Sequence, residues 1–180
     1  MPSSRAPASK GPLCRPPSLT LSAAAPSPPS PPSSFAVACD VSPCPCEGES
    51  CEQTCDAATP NCDLQCTQAA ACAQNCDGGA CDLQCTDSEL CTQTCAGANC
   101  DMACVGGGAC EQSCAGGGCD LSCTNTGACE LSCAGNGCSL SCTGATTCKI
   151  VDCTGNCNVS CGGAADCSVS CELADGCAKI

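Results

Sequence analysis

The chain has 180 residues, of which 31 are Cys and none is His, Trp or Tyr, and its formal net charge is −13. From residue 51 onward only 14 residues are Leu, Ile, Val or Met, too few for apolar burial to offset the entropy of ordering the chain. An ordinary globular core is thereby excluded, and cysteine at this density points to a covalent scaffold kept oxidised outside a reducing cytosol.

Residues 1–38 are rich in Pro, Ser and Ala, contain no acid and carry Arg5, Lys10 and Arg15. Such a segment cannot pack, so it is predicted to be a disordered or polyproline-like tail, or a targeting segment. Its apolar run, residues 19–25, is short for a secretion signal, with small-residue cleavage sites after Ala25 and after Ala38; Arg and Ser without acids also suit an organelle transit peptide. Ala36-Val37-Ala38-Cys39 loosely resembles the lipobox of bacterial lipoproteins, which implies Cys39 as a lipidation candidate. A lipid anchor is then the one expected link to a membrane, because no stretch is long enough to span a bilayer.

Residues 39–50 read as a linker or N-terminal cap, and residues 51–180 as a repeat domain. The repeat is C-x3-C-x4-C-x3-C-x5, and its copies begin at Cys72, Cys91, Cys110, Cys129, Cys148 and Cys167, each 19 residues after the last. The copy at Cys51 is two residues longer. A fixed period near 20 residues is the signature of a stacked array. Within Cys119-Asp120-Leu121-Ser122-Cys123 the two Cys and the Leu share one strand face, while Asp120 and Ser122 take the other. The connectors are Gly- and Asn-rich, which supplies the positive φ of tight corners. The predicted fold is therefore all-β, a thin parallel β-solenoid of 19-residue coils with two short strands each, stapled by disulfides.

Cysteines at i and i+4 of one strand lie about 13 Å apart, too far to bond. The bonds must cross the turns, so the candidates are Cys76 with Cys81, Cys95 with Cys100, Cys114 with Cys119 and Cys133 with Cys138. At the other edge Cys85 has two partners open to it: Cys72 in its own coil or Cys91 in the next. Between each cysteine pair one residue points inward, giving Leu64, Leu83, Met102, Leu121, Leu140 and Val159 on second strands. First strands give Gln53, Gln74, Gln93 and Gln112, then Leu131, Ile150 and Val169. Stacked glutamines can bond amide to amide, which makes a buried position tolerable. Cys153 and Cys177 fall one residue out of register and are read as irregular or capping coils.

From residue 39 the chain holds 18 acids against two lysines, a net charge of −16, which disfavours nucleic acid and anionic membrane surfaces as partners. Asp63, Asp82, Asp101 and Asp120 are expected on one outer face, as a solvated acidic column or as weak metal candidates. The repeat is similar to the calcium-binding β-roll, which implies calcium as the ion to consider. Here, however, Asp directly precedes the apolar residue and so points out from the strand rather than into the turn. The chain also resembles beetle antifreeze proteins as a disulfide-threaded solenoid, although only Thr92-Gln93-Thr94 fits their Thr-x-Thr ice face. Cys110-Glu-Gln-Ser-Cys-Ala-Gly-Gly-Gly-Cys-Asp-Leu-Ser-Cys123 resembles cysteine-rich repeats of secreted or lipid-anchored myxobacterial proteins, which implies export and a surface location.

Without His, a Ser or Cys nucleophile lacks its usual base, and exposed carboxylates lack a pocket to separate their pKa values, so no catalysis is expected. The expected function is a secreted or surface-attached structural or binding module, extracellular or, in a bacterium, periplasmic or in the outer envelope. It would act as a rigid spacer or an interaction module for a protein or cell-surface partner, with no cofactor required. The alternatives are a thiolate metal-binding protein and cation or ice binding along an outer face.

Overall fold

The structure, a computed structural model, describes residues 44–48, 50–59, 61–171 and 178–179, all within one unit, Ser33–Ile180. The tail 1–38, the lipidation candidate Cys39 and Cys177 lie outside the described residues.

Period-2 alternation of Cys and Leu with polar residues forms short strands, and these strands build two parallel sheets. One holds β1 (Cys44–Glu47), β3 (Asp63–Thr67), β5 (Asp82–Thr86), β7 (Asp101–Val105), β9 (Asp120–Thr124), β11 (Ser139–Thr143), β13 (Asn158–Ser160) and β15 (Ala178–Lys179), in that order. The other holds β2 (Ser50–Cys55), β4 (Ala71–Cys76), β6 (Leu90–Cys95), β8 (Ala109–Cys114), β10 (Ala128–Cys133), β12 (Thr147–Cys153) and β14 (Asp166–Cys171), again stacked in order. Each coil contributes one strand to each sheet, so the protein is a parallel β-solenoid with two strands per 19-residue coil. Among the described residues there is no helix. The stretch expected to be linker or cap already contains β1, which pairs with β3.

Register follows the repeat. Cys72 pairs with Cys91, Gln74 with Gln93 and Cys76 with Cys95, and the same offset recurs through the stack. The longer first coil keeps this register, with Cys51 opposite Cys72 and Cys55 opposite Cys76, because its extra residues sit in the turn before Cys62. At Cys153 the irregularity is a β-bulge. The register shifts between Ile150 and Cys153, Asp152 takes a φ of 49°, and Cys153 again stands opposite Cys171. One residue has moved from the turn into the strand, and the 19-residue period survives.

Burial alternates along the regular strands, as in β5 and β9, where the Leu and Cys are buried and Asp82 and Asp120 are exposed. The interior is one thin layer of Cys, Leu, Met, Ile, Val and Gln. The turns stack as closely as the strands. The Ala96 N–H donates to the Cys76 carbonyl at 2.8 Å, and the Ala80 N–H to the Ala98 carbonyl at 2.9 Å. A Cβ at Gly116 would fall on the carbonyl oxygen of Gly97 in the coil below, so any side chain here forces the stacked backbones apart.

Candidate functional site

The first feature with chemistry in it is the pair of sulfur columns. At the edge where even strands pass to odd strands the bonds are Cys55–Cys62, Cys76–Cys81, Cys95–Cys100, Cys114–Cys119, Cys133–Cys138 and Cys153–Cys157. At the opposite edge they are Cys46–Cys51, Cys66–Cys72, Cys85–Cys91, Cys104–Cys110, Cys123–Cys129, Cys142–Cys148 and Cys161–Cys167. The choice left open for Cys85 is thus resolved in favour of Cys91 in the next coil, since Cys72 is bonded to Cys66. Every bond closes a short turn, with Cα atoms 6.4 Å apart in Cys76–Cys81 and 6.5 Å apart in Cys85–Cys91. Closing loops this short contributes about 2 kcal/mol each in the chain-entropy model. These 26 cysteines therefore present disulfide sulfur, not thiolate.

The second feature is a buried amide ladder. Gln74 Nε2 donates to Gln53 Oε1 at 2.9 Å, Gln93 Nε2 to Gln74 Oε1 at 2.8 Å, and Gln112 Nε2 to Gln93 Oε1 at 2.7 Å. The second N–H of each amide crosses the interior to the opposite sheet: Gln74 to the Gln84 carbonyl at 3.2 Å, Gln93 to the Leu83 carbonyl at 2.8 Å, and Gln112 to the Ser122 carbonyl at 3.2 Å. At the next coil Leu131 replaces Gln, and Gln112 Oε1 is left buried without a donor. The ladder is thus polarised, each amide giving toward the N-terminal end and receiving from the C-terminal end. Half-cystine sulfurs such as Cys85 Sγ lie near these amide oxygens, but a disulfide carries no proton, so those contacts are packing only.

Comparison with family models, curated proteins and solved structures returns no match. Function has to be read from the surface itself. Asp63, Asp82, Asp101 and Asp120 stand opposite one another in successive odd strands, and the column continues into Ser139 and Asn158. A shallow, open depression beside them is lined by Asn61, Asp63, Asp82, Asn99 and Asp101. Partial desolvation, then the neighbouring charges of Asp101 and Asp63, raise the Asp82 carboxyl above its ordinary value. Gln65 Nε2 donates to Asp63 Oδ1 at 3.3 Å, and part of that column is so engaged. The column offers one carboxylate per coil, all from one side, whereas calcium takes six to eight oxygens from carboxylates, carbonyls and water.

Thr67, Thr86, Val105, Thr124 and Thr143 form a further outward column on the same sheet. Sequence reading missed it, because these residues follow the last cysteine of each coil rather than lying between cysteines. On the other sheet Thr92 and Thr94 stand opposite Ala73 and Asn75 below and Glu111 and Ser113 above, so the Thr pair does not repeat. Near the C-terminal end Lys149 Nζ meets Glu130 Oε2 at 3.0 Å, an exposed pair of little energetic weight.

Proposed function

We propose that the chain is a secreted or surface-attached structural and binding module: a rigid, cross-linked solenoid that holds acidic and hydroxyl columns at fixed spacing. It is no enzyme in this reading, requires no cofactor, and meets a protein or cell-surface partner rather than nucleic acid. One observation carries it. Disulfides fix both corners of each coil and parallel strand pairing keeps successive coils in register, so the outer faces are ordered without a large apolar core. Rigidity of that kind serves presentation and spacing, and the oxidised state that supplies it suits a compartment outside the cytosol.

Small-angle scattering of the oxidised full chain tests this. Seven stacked coils at about 4.8 Å each give a folded unit roughly 30 Å along the stack. The reading expects that dimension to persist at denaturant concentrations that fully unfold the reduced chain. An oxidised chain that swells at the same denaturant concentration as the reduced chain would remove the basis for a spacer.

A further inference from the structure

Sulfurs of successive rungs touch within each column. Cys76, Cys95 and Cys100 have their Sγ atoms within 4.8 Å of one another, and Cys66, Cys72 and Cys85 repeat the trio at the other edge. Cys76 Sγ and Cys100 Sγ are 3.9 Å apart although they belong to different disulfides. We propose that two neighbouring rungs of one column, once reduced, become a buried four-thiolate site for a thiophilic cation such as zinc or cadmium, with Cys76, Cys81, Cys95 and Cys100 as the type site.

The geometry is close to what such an ion needs. Tetrahedral zinc with Zn–S bonds of about 2.3 Å sets its sulfurs roughly 3.8 Å apart. The distance from Cys76 to Cys100, 3.9 Å, already matches, Cys95 lies within 4.8 Å of both, and opening the Cys76–Cys81 rung frees Cys81 to turn in as the fourth ligand. All four cysteines are at most 3% exposed, so the ligands are screened from water. A four-thiolate site carries a net charge of −2 and needs donors around it. The backbone N–H of Gly79 already points at Cys76 Sγ, at 3.2 Å. The rungs above and below, Cys114–Cys119 and Cys55–Cys62, would keep the coils stacked while the site is open.

The redox step balances simply. Each rung accepts two electrons and two protons. A phosphine supplies the electrons and leaves as its oxide, with oxygen and both protons from water; a dithiol supplies both electrons and both protons and leaves as a cyclic disulfide. The cation then displaces four protons from the four thiols. Metal affinity thereby favours opening rungs in adjacent pairs. At free cadmium about ten times its dissociation constant, the population with two open neighbouring rungs rises about tenfold.

The test uses the oxidised full chain with two equivalents of phosphine and excess cadmium. Native mass spectrometry counts bound metal, and alkylation with peptide mapping locates the open cysteines. The expected product holds one cadmium per four open cysteines, drawn from two rungs stacked in one column, with the β-sheet circular dichroism retained. Ligation by consecutive cysteines such as Cys76, Cys81, Cys85 and Cys91, which span both columns, overturns the proposal, as do open rungs without metal or all-or-none reduction of whole chains. In a C95S/C100S variant, cadmium on Cys76 together with Cys114 or Cys119 would also overturn it, because those rungs are not neighbours. Should that variant fail to fold, the wild-type map decides alone. The disulfide map of untreated protein is read separately, so failure of the metal site does not touch the spacer reading.

Discussion

Substituting Gln93 by Leu puts the amide ladder under the sharpest test. Gln93 Nε2 gives hydrogen bonds of 2.8 Å to both Gln74 Oε1 and the Leu83 carbonyl, and Gln93 Oε1 accepts from Gln112 Nε2 at 2.7 Å. Leucine fits the volume but leaves Gln74 Oε1 as a second buried acceptor without a donor, beside the one already present on Gln112. An orphaned buried acceptor costs about 1–3 kcal/mol and each lost net bond about 1 kcal/mol, part of which the added apolar burial returns, so Q93L should cost about 2–4 kcal/mol.

Gln112→Leu behaves differently. It removes one orphaned oxygen and creates another on Gln93, while extending the apolar column that begins at Leu131. The number of orphans is unchanged, and the expected effect is within about 1 kcal/mol. Adding Q112L to Q93L brings the orphans back to one and should recover about 1–3 kcal/mol rather than add a loss, a coupling that a double-mutant cycle isolates. Guanidinium unfolding of the oxidised proteins gives the differences, and amide exchange in β6 gives the local effect. Equal costs for Q93L and Q112L, or an additive double mutant, would refute the ladder argument.

Three further outcomes follow from local features. Because Asp82 has its folded-state carboxyl raised above the ordinary 3.8, it favours the folded state below that value, and the contribution is lost as pH rises through the raised pKa. Asp82→Asn should therefore stabilise at neutral pH and be silent below about pH 3, which paired thermal melts across that range would show. Gly116→Ala should lower the unfolding free energy by about 1–3 kcal/mol, since its Cβ meets the backbone of Gly97 rather than a yielding side chain. Ala80 has a φ of 53° where later coils place Gly118 and Gly137, so Ala80→Gly should raise stability by about 0.5–1 kcal/mol in the same assay.

Much of this architecture is legible from spacing alone. A 19-residue interval repeated at Cys72, Cys91 and Cys110 admits one stacking register, and that register places Asp63, Asp82, Asp101 and Asp120 in one column. What spacing does not resolve is which of two cysteines at one corner Cys85 takes. Cys72 and Cys91 lie one above the other on the same face, and only the path of the turn separates them. The bulge at Asp152 was visible as a displaced cysteine, but its compensation by a shorter turn needs backbone geometry. Positive φ at Gln68, Ala80 and Asp87 carries no Gly or Asn signal, since the stacked turn imposes the conformation on whatever residue occupies it. The Thr column is not marked by the cysteine spacing, because Thr67 and Thr86 belong to the strand beyond the last cysteine of each coil.

The central claim is that sulfur cross-links at the two edges do the work a larger apolar interior does elsewhere, and circular dichroism during titration with a phosphine measures it most directly. With every rung intact, the β-sheet signal should melt well above ambient temperature. Under full reduction without metal it should vanish at or below ambient temperature. Retention of the same signal and the same melting temperature by the fully reduced, alkylated chain would contradict the account.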